Sequence, residues 1–234
     1  MSHALRGALL LALAGLIVKL LLTGQMALYM SPALDPLSAL TAFVLAILGA
    51  VELWSARPLH PLPRGSDELL TYVPVAVLLG VGVFVTPRAL DSTALGGVQA
   101  ARAVVAYSSA PAATSVTPPS APVSDVPELF KYLRTAGESG VGQPVRVVGM
   151  AVPDASLAPN QFVLLRYTIV HCVADAQPIG LLIETSEAPP STGGWVVVDG
   201  VLAVSPTQAS RLVSVQAARI SPTEEPAEPY LWNL

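Results

Sequence analysis

Residues 5–29 read LRGALLLALAGLIVKLLLTGQMALY and are the first of three apolar stretches in the N-terminal part of the chain. The second, residues 37–54, reads LSALTAFVLAILGAVELW, and the third, residues 69–85, reads LLTYVPVAVLLGVGVFV. A helix of roughly 20 apolar residues spans the hydrocarbon core of a bilayer, about 30 Å, where no water can satisfy free backbone groups. The sequence therefore predicts three transmembrane helices. The third stretch is short and is interrupted by Pro74 and by glycines, so a buried or re-entrant segment is its alternative.

The composition agrees with a membrane protein. Hydrophobic residues make up 53% of the 234 residues, charged residues only 12%, and mean hydropathy is +0.61. Residues 1–124 hold six basic and five acidic side chains, whereas residues 125–234 hold six basic and eleven acidic ones. An acidic C-terminal region repels phosphate backbones, so we expect no nucleic-acid partner.

Basic residues in the short flanks of the spans predict the orientation. Arg6 and the two arginines of the 57–64 connection lie on one side, whereas the turn at residues 31–36 has no Lys or Arg. Because basic flanks favour the cytoplasm, we expect a multi-pass protein of the cell membrane with a cytoplasmic N-terminus. Three spans then place the C-terminal domain outside the cytoplasm.

The chain is predicted to have three regions. Residues 1–86 form the transmembrane region, residues 87–123 a juxtamembrane segment with a Ser/Pro-rich linker, and residues 124–234 a β-domain. The linker has too few large apolar groups to fold. A short helix is predicted to begin at Asp125, with Glu128 in a capping box, and to end at Gly137.

After residue 144 the hydrophobic pattern has the period of β-strands. Five β-branched segments are bounded by Pro, Gly, Ser or Asn, namely residues 145–152, 162–170, 179–185, 195–204 and 212–220. Five short strands in about 80 residues predict a small all-β barrel of the OB type, with a sandwich as the alternative. Gly200 is predicted to bend the fourth strand.

Candidate metal ligands lie between the second and third strands. His171, Cys172 and Asp175 supply imidazole, thiolate and carboxylate within five residues, a partial set for zinc or copper. His60, His3, a partner chain or solvent would have to complete the site. The alternative is a buried apolar Cys172 beside a hydrogen-bonded His171. We expect no enzyme activity, because side chains of adjacent strand residues point to opposite faces and leave Cys172 without an activating base.

Lys19 is a charged residue within the first apolar stretch. A buried charge at bilayer depth costs at least about 2.5 kcal/mol unless it finds a partner or reaches the interface. Two interpretations follow: a contact with another membrane subunit or an ion path, or a span placed so that the side chain reaches the interface.

The segment QFVLLRYTIVHCVADAQPIGL, residues 161–181, resembles the hallmark of the YcgQ-like family of bacterial membrane proteins, whose function is unknown and whose members are labelled as permease subunits. TPRALDSTA at 86–94, WVVVDG at 195–200 and the closing Pro229 and Tyr230 extend the resemblance over nearly the whole chain. It matches the family at Arg166, Cys172 and Asp175. At His171 the family usually has a second cysteine, and the departure argues against a redox thiol pair.

The resemblance implies a non-enzymatic accessory subunit of a separate multi-span permease, with an extracytoplasmic β-domain that binds a solute or a metal ion. The alternative is a stand-alone metal-binding or redox protein of the cell envelope that uses His171, Cys172 and Asp175. A nucleic-acid binder of the OB type is a third class. It would need a basic face, for which the candidates are Arg146, Arg166, Arg211 and Arg219.

Overall fold

The computed structural model describes residues 3–55, 72–95, 100–108, 129, 141–206 and 211–232. The chain divides into two compact units. The first contains Met1–Arg88 together with His171–Val173, and the second contains Ala89–Val170 and Ala174–Leu234.

Two long apolar helices dominate the first unit. Helix α1 is His3–Leu22 and helix α2 is Asp35–Ser55, with 20 and 21 residues. At 1.5 Å per residue each is about 30 Å long, which matches the hydrocarbon core of a bilayer. Only 11% of the apolar window of each is buried within the protein. These are the two helices of the described residues that are long and apolar enough to cross a membrane.

Two glycines allow α1 and α2 to pack closely. A Cβ atom on Gly7 would lie 2.8 Å from the carbonyl oxygen of Gly49, and one on Gly49 would lie 2.9 Å from Cγ of Leu11. Small residues let helix backbones approach where lipid supplies no hydrophobic driving force. The two glycines therefore mark the crossing point of the helix pair.

The third apolar stretch forms a shorter helix. Helix α3 is Val73–Phe84, 12 residues or about 18 Å, and residues 69–71 of the predicted span lie outside the described residues. A third full span is thus not confirmed. The end of α3 lies beside the end of α1, since Lys19 Nζ donates to the carbonyl oxygen of Val83 at 3.1 Å.

The second unit is built on a closed barrel. Its strands are β1 (Pro144–Val152), β2 (Gln161–Ile169), β3 (Gln177–Glu184), β4 (Trp195–Pro206) and β5 (Arg211–Pro222). They pair in the ring β1-β4-β5-β3-β2, and β1 also pairs with β2, which closes the ring. All pairs are antiparallel except β3 with β5. Closure removes the free edges that so apolar a sheet would otherwise expose.

The five predicted strands are confirmed to within two residues at each end. The sequence interpretation missed β6 (Tyr230–Trp232), a three-residue strand that pairs in parallel with the end of β2. The predicted bend at Gly200 is also confirmed, because the register of β4 against β5 shifts between Asp199 and Gly200. A Cβ atom at Gly200 would collide with the carbonyl oxygen of Gln216, so this bulge requires glycine.

Alternate residues of the strands fill the barrel. Phe162, Val147, Ile183 and Val198 are fully buried in one apolar cluster. The predicted helix at residues 125–137 lies outside the described residues except for Leu129, which is helical and has 0% exposure in the same cluster. Leu129 therefore belongs to the core of the barrel.

A second apolar layer covers the outside of β2 and β3. Helix α4 (Ala100–Ser108) packs there, with Val104 and Ala103 against Gly180. A Cβ at Gly180 would lie 2.5 Å from Cγ1 of Val163 and 3.4 Å from Cγ2 of Val104. The absence of a side chain at this position lets the helix lie directly on the sheet.

The segment before α4 is also bound to the sheet. The Tyr167 hydroxyl donates to the carbonyl oxygen of Asp91 at 3.0 Å, and the Leu90 amide donates to the Tyr230 hydroxyl at 2.9 Å. Residues 89–95 and 100–108, predicted as part of a juxtamembrane segment, thus belong to the second unit. The Ser/Pro-rich linker after them lies outside the described residues.

Candidate functional site

The predicted metal ligands are divided between the two units. His171 and Cys172 belong to the first unit and Asp175 to the second. Among the residues that the structure describes, no group of three or more His, Cys, Asp or Glu side chains is close enough to hold a metal ion. The metal hypothesis therefore has no preformed three-ligand group here and stays a prediction.

Within the first unit, Cys172 forms an antiparallel bridge with Met30 in the connection between α1 and α2. The Ser31 amide donates to the carbonyl oxygen of His171 at 2.9 Å, and the Val173 amide donates to that of Tyr29 at 2.8 Å. Cys172 is half-buried and His171 is exposed. The backbone of this motif is thus held by two hydrogen bonds to the connection.

Asp175 organises the loop that follows β2. Its Oδ1 accepts a hydrogen bond from the Val170 amide at 2.9 Å. Val170 follows the last residue of β2, and Asp175 ends a 3-10 helix. One carboxylate oxygen of Asp175, a predicted metal ligand, therefore accepts a hydrogen bond from the loop backbone.

Lys19 lies in the last turn of α1, which ends at Leu22 and not near Tyr29 as the apolar stretch suggested. A basic group near a helix C-terminus meets favourable carbonyl charge, and here the carbonyl belongs to the neighbouring helix α3. The ammonium thus lies near the ends of α1 and α3, and its reaching a membrane interface stays a prediction. Contact with a partner subunit through Lys19 stays a prediction.

Arg166, part of the family hallmark, is buried at 7% exposure and joins the C-terminal segment to the barrel. Its guanidinium donates to the carbonyl oxygens of Glu228 at 2.7 Å, Pro229 at 2.9 Å and Val148 at 3.3 Å. The forked donors of arginine suit several acceptors at once. Arg166 is thus not part of an exposed basic face. Another candidate for that face, Arg146, pairs with Asp199 at 3.2 Å.

Asp154 caps the helix that covers the barrel. Its Oδ2 accepts from the Ala101 amide at 3.1 Å, and its Oδ1 accepts from the amide and hydroxyl of Ser156 at 2.9 and 2.7 Å. Partial burial raises the pKa of this carboxyl, but the hydrogen bonds from Ser156, Ala101 and Ala100 outweigh burial and hold the pKa below its ordinary value. Asp154 is therefore a structural carboxylate at the start of α4.

A cavity of 490 Å³ opens at the end of β3, where the parallel pairing of β3 with β5 ends. Its lining has both polar and aliphatic residues, namely Asn160, Glu184, Thr185, Ser186, Val201, Gln216, Ala217 and Ala218. The half-buried Glu184 carboxylate accepts from Gln161 Nε2 at 3.2 Å. Sequence reasoning missed this site because its lining comes from three strands and two loops, and no local motif connects them.

Two apolar helices of spanning length and a closed five-stranded barrel with a covering helix define the class of this protein. Residues 5–98 match the DUF1980 N-terminal domain and residues 127–233 match the DUF1980 C-terminal domain. The chain belongs to the DUF1980 family, and the YcgQ-like resemblance is confirmed.

Two curated relatives extend this finding. The chain is 30% identical to a Streptococcus mutans protein named "Putative two-component membrane permease complex subunit". The alignment of 109 residues covers 46% of this chain and 40% of the relative. It is 27% identical over 96 residues to UPF0703 protein YcgQ of Bacillus subtilis, which covers 40% of this chain and 34% of the relative. The matched region thus spans less than half of either relative.

Proposed function

We propose that this protein is a non-enzymatic accessory subunit of a two-component membrane permease complex. The observation that carries the proposal is the similarity to the Streptococcus mutans protein, which is named as a subunit of a two-component membrane permease complex. The two spanning-length helices α1 and α2 give the chain a way to reside beside a multi-span partner in the bilayer. The multi-pass arrangement, the lipid contact and the partner itself are parts of this proposal.

The barrel is proposed to lie outside the cytoplasm. The contact between Lys19 and Val83 supports this side, because it joins the C-terminal ends of α1 and α3. Gly82 of α3 also lies against Leu16 of α1, as expected if the two helices run in the same direction. A chain that leaves α3 then emerges opposite the N-terminus, which the basic flanks favour as cytoplasmic.

We assign the barrel to the OB type. The ring order β1-β4-β5-β3-β2, with β3 parallel to β5 and the other pairs antiparallel, is consistent with a five-stranded Greek-key barrel. Barrels of this type bind ligands on strand faces and loops, which supports a binding role rather than catalysis. The fold alone identifies no ligand.

The loop at His171 and Cys172 is the proposed place for a metal ion. An exposed imidazole and a half-buried thiol on adjacent residues could supply two of the four ligands that zinc prefers. Titrating the full chain with zinc tests this role. We expect Cys172→Ala to weaken zinc binding at least tenfold, with Ser156→Ala as a control, and equal binding by both variants would remove the site.

Co-purification tests the permease role. The full chain is tagged and extracted from native membranes in mild detergent. We expect one multi-span membrane protein to co-purify with it, at a molar ratio that stays constant through successive purification steps. Lys19→Met is expected to reduce that ratio, whereas Arg6→Met, which also removes one basic group from α1, is expected to leave it unchanged. Recovery of this chain without an integral-membrane partner would count against the proposal.

Labelling with a membrane-impermeant maleimide tests the side of the barrel. Both labelling variants are made in a Cys172→Ser background. Glu224→Cys places a thiol on an exposed loop of the second unit, and Trp54→Cys places one at the C-terminal end of α2. We expect Glu224→Cys to react in intact cells and Trp54→Cys only after permeabilisation. The reverse pattern would place the barrel in the cytoplasm.

A further inference from the structure

The cavity at the end of β3 contains a partly buried carboxylate, that of Glu184. Glu184 is half-buried, its carboxylate accepts one hydrogen bond from Gln161, and it forms no ion pair with any residue in the described part of the chain. A partly desolvated carboxylate attracts a cation more strongly than one in open water. The charge therefore selects a cationic ligand over an anionic one.

The neighbouring groups support the same selection. Among the described residues of the lining there is no Lys, Arg or His, so these residues offer no cationic partner to a phosphate or a carboxylate. The side-chain amides of Asn160 and Gln216 and the hydroxyl of Ser186 add hydrogen-bonding groups. A hard metal ion needs about six oxygen ligands, and a single carboxylate with scattered amides does not provide a compact set.

Aliphatic surface beside the carboxylate favours an organic ligand. Gln216 pairs with both Val201 and Glu184, so Val201 lies on the same face of the sheet as Glu184, and it is 39% exposed. The volume of 490 Å³ lies within the range of small-molecule sites. An acidic region, with six basic and eleven acidic residues between positions 125 and 234, would also attract cations toward the barrel.

The bulge in β4 sets the position of Val201. The register shift between Asp199 and Gly200 directly precedes Val201, which pairs with Gln216 of β5. On the other side, β3 ends at Glu184, which also pairs with Gln216. The cavity is therefore formed by fixed strand positions, so its carboxylate is held on the sheet.

We infer that this cavity binds a small organic cation, such as a protonated aliphatic amine, with Glu184 as its counter-ion and Val201 as its apolar contact. The inference rests on the proposed solute-binding role of the barrel, but it assigns a site distinct from His171 and Cys172. It does not require the permease partner.

Three four-carbon probes of similar length test the inference. Putrescine is dicationic, 1,4-butanediol is neutral and succinate is dianionic, and binding to the purified full chain is followed by ligand-observed NMR. We expect putrescine to bind at least about tenfold more tightly than butanediol, and succinate not to compete, since the difference comes from charge alone. Equal binding of putrescine and butanediol would overturn the inference.

Matched variants place the binding in the cavity. Glu184→Gln is expected to weaken putrescine binding about tenfold, whereas Glu187→Gln, which makes the same charge change at an exposed position outside the lining, should alter it less than about twofold. Val201→Trp keeps every charge and fills the cavity, and should also weaken binding about tenfold.

Equal effects of the two Gln variants would indicate general surface attraction and overturn the assignment. Unfolding temperatures of all variants confirm that each is folded. Because these measurements use the chain alone, their failure leaves the co-purification result untouched, and a failed co-purification leaves the amine site untouched.

Discussion

The guanidinium carbon of Arg166 lies 5.3 Å from the centre of the Trp195 ring. This cation-π contact joins the middle of β2 to the start of β4, and the same guanidinium donates to the carbonyl oxygens of Glu228 and Pro229. One buried side chain thus connects two barrel strands to the C-terminal segment that leads into β6. Arg166, a residue of the family hallmark, therefore binds the C-terminal segment to the barrel.

Arg166→Lys should therefore destabilise the second unit. Lysine keeps the charge but replaces the planar fork with a single ammonium, so at least one of the three carbonyl bonds is lost and stacking on Trp195 weakens. We expect a loss of about 2 kcal/mol in the free energy of unfolding. Urea titration followed by tryptophan fluorescence measures it.

Arg146→Lys is the matched control. Arg146 pairs with Asp199 at the surface, with side-chain exposures of 60% and 34%, and such pairs contribute about 0 to 1 kcal/mol. A loss for Arg146→Lys as large as that for Arg166→Lys would show that the buried contacts are not the cause.

Gly180 is predicted to be intolerant of any side chain. The Cβ of Gly180→Ala would meet Cγ1 of Val163 at 2.5 Å, so the Val163 side chain must shift beneath α4, whose Val104 lies 3.4 Å from the same Cβ. We expect a loss of about 1 to 3 kcal/mol, with faster hydrogen exchange of the α4 amides. Unfolding and exchange are measured on the same variant.

Gly194→Ala provides the comparison. A Cβ there would meet its nearest neighbour, the carbonyl oxygen of Ser191, at 3.5 Å, which is ordinary van der Waals contact. Its stability and its α4 exchange should stay close to those of the parent. If Gly180→Ala also keeps the parental stability and the parental exchange of the α4 amides, the packing of α4 does not require glycine at this position.

The barrel strands could be predicted from sequence because their signals are local. Alternating Val and Ile between Pro, Gly and Asn residues fixes a strand regardless of its partner, and Gly200 interrupts such a pattern visibly. β6 has only three residues, and its pairing with Tyr167 to Ile169 depends on Arg166 holding the chain before it. No short window of sequence contains that information.

The site was harder to predict for the same reason. His171, Cys172 and Asp175 are neighbours in sequence and drew attention together, yet Asp175 belongs to a different unit from the other two. Glu184 and Gln216 are 32 positions apart and become neighbours only through the parallel pairing of β3 and β5. Proximity in sequence therefore pointed to residues 171–175, whereas the neighbourhood of Glu184 and Gln216 could not be recognised from it.

Gly7 is expected to control the packing of α1 on α2. A side chain at Gly7→Leu would displace the Gly49 backbone, since even a Cβ lies 2.8 Å from its carbonyl oxygen. We expect the unfolding temperature in detergent to fall, with a loss of about 1 to 3 kcal/mol in helix-pair stability. Gly15→Leu, at a position with nothing within 4 Å, should leave the unfolding temperature near that of the parent. Similar losses in both variants would indicate an effect of leucine itself rather than of helix contact.

Tyr167 should make the second unit sensitive to alkaline pH. Burial, aided by the negative charge of Asp91 and by Tyr230, raises the pKa of its hydroxyl from 10.0 to about 12. Below pH 10 the hydroxyl is neutral in both states and its contribution to stability is complete. Between about pH 10 and 12 the unfolded chain releases this proton while the folded chain retains it, so the free energy of unfolding falls as pH rises.

Removing the Tyr167 hydroxyl isolates that contribution. Tyr167→Phe loses the hydrogen bond to the Asp91 carbonyl oxygen, so we expect about 1 kcal/mol less stability at pH 8 and a shallower decline from pH 10 to 12. Some decline should persist, because burial also raises the pKa of Tyr230. Tyr29→Phe, in the first unit, should show the parental slope in the same urea titrations at several pH values. A slope in Tyr167→Phe equal to the parental one would mean that the folded barrel does not protect this proton, and that the contact between Tyr167 and Asp91 does not hold the covering segment as the structure has it.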